Sequence, residues 1–348
     1  MIKHFTIPVF IPELACPFQC AFCNQRKISG HIAVPASDEI IKTVKEHLAT
    51  FPKGAKRVEI GFFGGSFTGL PLAEQESFLK LAQPFLQKGF IQGIRLSTRP
   101  DYINKEILEL LKKYQVTTIE LGAQSFDDEV LLKSYRGHTS SQIEEAAGMV
   151  LEAGFDLGLQ MMIGLPGDTL EKALYTAKRI INLKASCTRI YPTVVIKDTV
   201  LHHWYKTGKY KPLSLAEAVQ WTKHLLPLFE DAGVKVIRTG LHPSEGLLSG
   251  DELIDGPFHP SFKELVLTEM WFDKLGKISG NSQNKLVIMV PEKELNYAIG
   301  YQAKNKKMLL QRFADVKFKP DSKLDKGVCD GDEGVKGREG RKGEEENG

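Results

Sequence analysis

Six short runs of β-branched and aromatic residues recur over the first 200 positions with helical segments between them, and this alternation restricts the fold more than any other feature. The runs are FTIPVFI (5–11), RVEIGFF (57–63), GIRLST (93–98), VTTIEL (116–121), FDLGLQMMI (155–163) and RIYPTVVI (189–196). They read as strands buried on both faces. The intervening EILELLKKY, SQIEEAAGMVLEAG and TLEKALYTAKRIINL have helical spacing, and several such segments close on glycine or asparagine. Repeated βα units imply a parallel sheet with right-handed crossovers, either an open doubly wound sheet or a full or partial (β/α) barrel. In each of these the ligand site lies beyond the carboxyl ends of the strands, so the residues just after each strand are the ones to read for chemistry.

Further along, 214–232 reads as another helix, VKVIRTGL as a further strand, and the stretch to about Pro260 as loop-rich. Residues 285–319 form a separate pattern of strand, helix and strand. The expected division is a barrel at 1–240, a loop-rich extension at 241–284, a small basic α/β unit at 285–320 and a tail at 321–348. The tail is rich in Gly, Lys and Glu, has almost no apolar content, and is expected to be disordered. It carries nine acids against six bases, so the net charge of +3 conceals a basic excess in the first 320 residues. An apolar run long enough to span a bilayer is absent, as is a secretory leader at Met1–Phe10, so neither membrane insertion nor export is expected and the cytoplasm is the default.

Cys16, Cys20 and Cys23 stand in C-x3-C-x2-C spacing directly after the first strand, at the ligand end of the expected sheet. Cysteines this close cannot staple distant elements, and a chain this long does not need staples, so a reducing compartment fits. Three thiolates so near converge on one metal centre, and three ligands to a four-iron cluster leave one iron open for chemistry. Zinc completed by His31, or three buried free cysteines, are the blander alternatives. Cys187 and Cys329 fall outside the pattern.

With Phe22 before its last cysteine, the C-x3-C-x-aromatic-C motif resembles the signature of the radical S-adenosylmethionine (SAM) superfamily. The resemblance implies a partial (β/α)6 TIM-like barrel holding a 4Fe-4S cluster on Cys16, Cys20 and Cys23. It also implies SAM on the open iron, reductive formation of a 5′-deoxyadenosyl radical, and an electron donor of the flavodoxin or ferredoxin type. Phe22 and the Gly64-Gly65-Ser66-Phe67 loop, where the family has a GGE-like motif, are then expected at the cofactor. Gly164, Leu165 and Pro166 resemble the fifth-strand motif near the adenine. Ser97, Arg99, Gln124, Ser125 and Gln160 are polar groups at or near strand ends, each explicable alone as a cap or turn but grouped on one rim. Arg136 suits bidentate binding of a carboxylate, although a surface arginine reads the same way.

STRPDYI, RGHT and RIYPTVVIKDTVLHHWYKTGKYKPLS, covering with their surroundings about residues 1–240, resemble the catalytic subunit of Elongator, which modifies tRNA wobble uridine. RNA, and tRNA in particular, is the partner this implies. The roughly 110 residues after position 240 are too few for the acetyltransferase domain of that subunit. That subunit also has a basic N-terminal extension for tRNA, whereas here the first strand is expected to begin by about residue 5. In 285–319, eight Lys or Arg face three acids, and AIGYQAKNKKML resembles the GXXG loop of a KH-type RNA-binding fold, with Ala303 in place of the second glycine. Lys304, Lys306, Lys307 and Arg312 are the expected phosphate contacts, against the alternative of a solvated lysine-rich face. Two rivals are a small-molecule enzyme resembling the oxygen-independent coproporphyrinogen oxidase branch and a non-catalytic RNA-binding protein stabilised by metal.

Overall fold

Seven parallel strands realise the alternation. The computed structural model describes residues 3–11, 20–24, 27, 35–52, 56–279, 283–324 and 330–332. Strands β1 (Lys3–Ile11), β2 (Lys56–Gly64), β3 (Gly93–Thr98), β4 (Val116–Gln124), β5 (Asp156–Ile163) and β6 (Cys187–Pro192) lie side by side in chain order. After β7 (Val195–Ile196), strand β8 (Lys235–Thr239) completes the sheet on the far side of β6. The sheet curls into a partial barrel, and its connections run through α1 (Ser37–Thr50), α2 (Leu72–Gln87), α3 (Lys105–Lys113), α4 (Asp128–Lys133), α5 (Ser140–Glu152), α6 (Leu170–Asn182), α7 (Val200–Lys206) and α8 (Leu215–Asp231). Capping boxes at Thr139 and Ser214 start α5 and α8, where each N-cap hydroxyl accepts a backbone N–H that the helix itself leaves unpaired.

RIYPTVVI is one apolar run but two elements. Pro192 has no N–H to extend the ladder, so β6 stops there while Thr193 N still donates to Ile163 O at 2.9 Å. Val195 and Ile196 turn away to pair antiparallel with β9 (Leu253–Asp255), which follows α9 (Glu245–Ser249).

The strands have two different faces. Ile7, Val9, Ile60, Phe62, Ile94, Leu96, Ile119, Leu121, Leu157 and Leu159 alternate along them and are buried. The other face lines a cavity with Thr6, Arg95, Ser97, Gln160 and Arg189. Its floor holds Glu120, 1% exposed, which accepts from Arg95 Nη1 (3.0 Å), Arg189 Nη2 (2.9 Å) and Gln160 Nε2 (3.0 Å). Glu59 beside it accepts from Arg95 Nε (2.8 Å) and lies 2.8 Å from His4 Nε2 and 3.0 Å from Arg57 Nη2. A Cβ at position 158 would come within 2.8 Å of Glu120 Cγ, so Gly158 makes the room in which this carboxylate lies.

Residues 261 onward form a second unit. Helix α10 (Phe262–Gly276) lies in the stretch read as loop-rich; β10 (Lys285–Pro291) pairs in parallel with β11 (Asp315–Asp321) and antiparallel with β12 (Asp330–Asp332). Trp271, Leu275, Ile288, Val290, Leu309 and Val316 are among the residues of its core. The single helix expected between the strands is two, α11 (Leu295–Ile299) and α12 (Lys304–Leu310). Gly300 at φ 87° and left-handed Gln302 and Ala303 break it. Cys329 and most of the tail lie outside the described residues.

Burial pushes the Glu120 carboxyl up, but the charge and hydrogen bonds of Arg189, the charge of Arg95 and the Gln160 amide outweigh this and hold it below the usual carboxylate range. Glu120→Gln is therefore expected to cost about 3 kcal/mol at pH 7, because two buried guanidiniums lose the charge they face. A depressed carboxyl stabilises fully above its unfolded value of 4.5 and less as the pH falls, so the deficit should shrink below that pH. Urea denaturation of wild type and variant at pH 7 and pH 3.5 measures both; a variant as stable as wild type at pH 7 would refute the role given to the network.

Candidate active site

Cys20 and Cys23 sit on a tight turn in which Cys23 N donates to Cys20 O at 3.0 Å. Cys16 and His31 lie outside the described residues. Two backbone bonds anchor the turn from elsewhere in the chain: Ala21 N donates to Ser134 O (3.0 Å), after α4, and Leu201 N in α7 donates to Ala21 O (2.7 Å). Phe22 is buried with Cys20 against Val130, Leu165, Val195, Leu201 and Tyr210. Lys27 ties the exit of the loop to Asp198 (2.7 Å) and Glu252 (2.9 Å).

Two guanidiniums are aimed at Cys20. Arg136 Nη1 lies 3.1 Å from its sulfur and Arg99 Nη1 3.8 Å. Arg136 is also held by Gly122 O (2.6 Å), and Arg99 by Asp101 and by the carbonyl of Arg136. Burial alone would raise the Asp101 carboxyl, but hydrogen bonds from His138 and Arg99 and their charge bring it down to about 2. His138 titrates below its ordinary range because it is buried and Arg136 and Arg99 are close, with Asp101 opposing them. A sulfur facing two guanidiniums can receive charge-assisted hydrogen bonds from both.

The same region contains buried polar atoms with no partner among the described residues. Arg136 Nε, His138 Nε2 and Gln124 Oε1 are three of them. Gln124 is placed by an irregularity in the β4 ladder after Leu121 and takes a left-handed conformation (φ 68°) at the carboxyl end of the strand. Gly64 lies across the sheet at φ 113°, where a Cβ would stand 2.3 Å from Ile11 O, and Gly65 N donates to that same oxygen. Cysteine sulfurs, paired guanidiniums and orphaned donors and acceptors form a donor set that fits an anionic cluster with a zwitterionic ligand.

Other expected residues have structural partners. Ser66 Oγ meets Thr98 Oγ1 at 2.8 Å and accepts from Arg99 N, and Phe67 is buried against Phe62. Ser125 Oγ accepts from Asp127 N beside the start of α4. Gln160 joins Ser97 to Glu120 on the cavity floor. In the turn after β5, Gly164 O accepts from Tyr210 OH (2.6 Å), Leu165 packs on Phe22, and Pro166 is buried. In the second unit, Lys304 pairs with Glu269 and Arg312 donates to Gly276 O and Ile278 O, while Lys307 is exposed and Lys306 half-buried.

Asp168 stands just ahead of the Thr169 N-cap of α6, where the sequence GLPGD looks like an ordinary turn. Its carboxylate accepts from Gly164 N (2.8 Å) and Thr169 N (3.0 Å), which fixes the loop that carries Leu165. Arg189, Tyr191, Arg238, Phe10 and Phe63 also line the cavity, which has a volume of about 580 Å³, yet in the sequence they look like ordinary strand residues. Among the described residues no three His, Cys, Asp or Glu assemble as a metal site, and no helix is long and apolar enough to cross a membrane.

Burial raises the Asp168 carboxyl to about 7, the two backbone donors opposing it. A raised acid is stabilising below its unfolded value of 3.8 and loses that contribution as the pH rises through 7. Asp168→Asn should therefore gain on wild type between pH 4 and 7 by up to about 1.4 kcal/mol per pH unit. Parallel urea titrations across that range measure the gain, and a pH-independent difference would refute the shift.

The Radical SAM superfamily matches residues 11–180, and the Radical_SAM C-terminal domain matches residues 185–271. The tRNA uridine(34) acetyltransferase of Dehalococcoides mccartyi is 26% identical over 239 residues, 59% of this chain and 52% of that protein. An uncharacterized protein of Methanocaldococcus jannaschii is 27% identical over 227 residues, 63% of this chain and 66% of its own length. Elongator complex protein 3 of Saccharomyces cerevisiae is 30% identical over 203 residues, 53% and 36% of the two chains. The chain thus spans about one to two thirds of these relatives, between 36% and 66% of their length. Methanocaldococcus infernus Elp3, solved with an N-terminal deletion, shares the fold with a TM-score of 0.64 at 20% identity, covering 79% of this chain and 64% of that one. Two adjoining family matches that run from the end of β1 into α10, over a curled parallel sheet with a cysteine turn at its carboxyl edge, leave one assignment: the chain belongs to the radical SAM superfamily, among relatives of the Elongator catalytic subunit.

Proposed function

We propose that this chain holds a 4Fe-4S cluster on Cys16, Cys20 and Cys23, binds SAM beside it, and modifies RNA, with tRNA the leading candidate. The observation that carries the cofactor reading is the pair of guanidiniums aimed at Cys20 within a pocket of orphaned polar atoms. When bound, the cluster and SAM supply reductive cleavage of a carbon–sulfur bond and a carbon radical able to abstract hydrogen. The chain's own residues do the positioning. Arg136 and Arg99 neutralise negative charge at Cys20, and Gly64, where a Cβ would strike Ile11 O, lets the end of β2 lie against β1 at the cavity rim. Gln124 and Arg136 present unsatisfied groups to a bound amino acid moiety, and the packed set around Phe22 and Leu165 keeps water from one side.

The RNA reading is supported by relatives whose names specify tRNA uridine or Elongator, and by the basic stretch 285–319 of the second unit. Lys304 and Arg312 are occupied within that unit, so Lys306 and Lys307 are the residues given to phosphate contact. A reducing cytoplasmic setting with a small flavodoxin- or ferredoxin-type donor completes the reading.

Anaerobically reconstituted protein is expected to be brown and to convert SAM with dithionite to 5′-deoxyadenosine and methionine. Cys20→Ser should abolish the colour, and Arg136→Gln should weaken iron retention about tenfold, as loss of a group supporting a metal ligand does. Colourless protein without turnover would overturn the cofactor reading. Filter binding with bulk tRNA tests the other half: the double variant Lys306→Gln, Lys307→Gln should lower the salt slope by about one per lysine. Salt-insensitive or absent binding would overturn the RNA reading alone.

A further inference from the structure

The concave face of the sheet encloses more positive charge than its carboxylates use. Glu59 is matched by Arg95, Arg57 and His4, and Glu120 by Arg95 and Arg189. Besides Lys235, whose Nζ lies 3.4 Å from His4 Nδ1, a further cation left over is Arg238 on β8, the register neighbour of Arg189. It is half-buried and donates to Gly240 O (3.3 Å), Leu241 O (3.3 Å) and His242 Nδ1 (3.2 Å), and among the described residues it faces no carboxylate. Burial holds this guanidinium below its ordinary range, with Tyr191 opposing and the Arg189 charge adding a smaller push in the same direction as burial. Since a guanidinium can only donate, His242 accepts at Nδ1 and carries its proton on Nε2, giving a second donor beside the first.

Planar groups form a row beside this cation. The rings of His242 and Phe10 lie 6.4 Å apart with their planes 30° apart, those of Phe10 and Phe63 6.4 Å apart and tilted by 48°, and the Arg189 guanidinium stands 5.0 Å from the Phe63 ring. Phe10 and Phe63 are register partners on β1 and β2 at the end of the cavity that also reaches Phe22 and Cys23. Aromatic walls accept a flat ring, and an unmatched arginine in a low-dielectric pocket draws a carboxylate or phosphate to a fixed place.

We propose that the cavity is a binding site for a planar ring bearing an oxyanion, with the ring along Phe10 and Phe63 and the oxyanion on Arg238 and His242. This rests on the reading that the cysteine turn is the cofactor end of the cavity, and it deepens that reading by naming the chemistry of the molecule presented there. Two sources share it: the phosphate of a pyrimidine nucleotide and the carboxylate of a small heterocyclic acid.

The test is equilibrium dialysis of the reconstituted full-length protein with uridine 5′-monophosphate, orotate and, as the neutral control, uridine. At least one of the two anions should bind tenfold or more tighter than uridine. Preference for the nucleotide identifies the phosphate source, and preference for orotate the carboxylate source. Arg238→Gln should remove that preference, while Arg238→Lys keeps most of it. His242→Phe, at an exposed position, should reduce it about threefold while retaining the stacking, so the assignment stays testable if Arg238→Gln fails to fold. Uridine binding as tightly as both anions, no binding of any of the three, or an undiminished preference in a folded Arg238→Gln or in His242→Phe would overturn the proposal. Because tRNA is not a reagent here, failure of the RNA reading leaves each outcome interpretable.

Discussion

An ionised carboxylate inside a parallel sheet must be met by donors on its neighbours, and Glu120 draws them from β3, β5 and β6. Through Arg95 the same network reaches Glu59 on β2 and His4 on β1. Apolar residues on the outer face supply the burial that favours folding, but they tolerate exchange among one another. The charged floor does not. A slip of one residue in β3 would turn Arg95 out among the apolar side chains and leave two carboxylates short of a partner, so the network specifies register as the outer face cannot.

The fold was largely legible because strands and helices alternate with different periods and the strand runs carry few charges. RIYPTVVI shows the limit: nothing in its hydropathy marks Pro192 as the point where the chain leaves one sheet for another, since a missing N–H is felt only when a neighbouring strand offers an acceptor. Helix α10 was hidden for a related reason. Its low amphipathicity leaves the prolines and glycines before it as the dominant local signal.

The candidate site was legible where it depends on unusual spacing and obscure where it depends on which way a strand faces. The cysteines and the paired glycines stand out in any sequence. Arg189 and Arg238 do not, because an arginine in a strand looks alike whether it points to solvent or to a cavity. Arg99 and Arg136 occupy the middle ground: the sequence marks both as candidates, but their convergence on Cys20 depends on Asp101, His138 and Gly122 holding them from different loops and strands. The cysteine turn is in the same way suspended from Ser134 and Leu201, more than a hundred residues further along the chain, so its shape is a tertiary property.

Among the described residues no ladder joins the two edge strands of the curled sheet, β1 and β8. Side chains bridge them instead, with Lys235 Nζ 3.4 Å from His4 Nδ1 at one end and the Phe10 and His242 rings facing each other at the other. A barrel closed by backbone hydrogen bonds can be filled only through its ends. A seam made of side chains carries no ladder to break, so the stability of this edge depends on a few ring and lysine contacts and not on backbone hydrogen bonds.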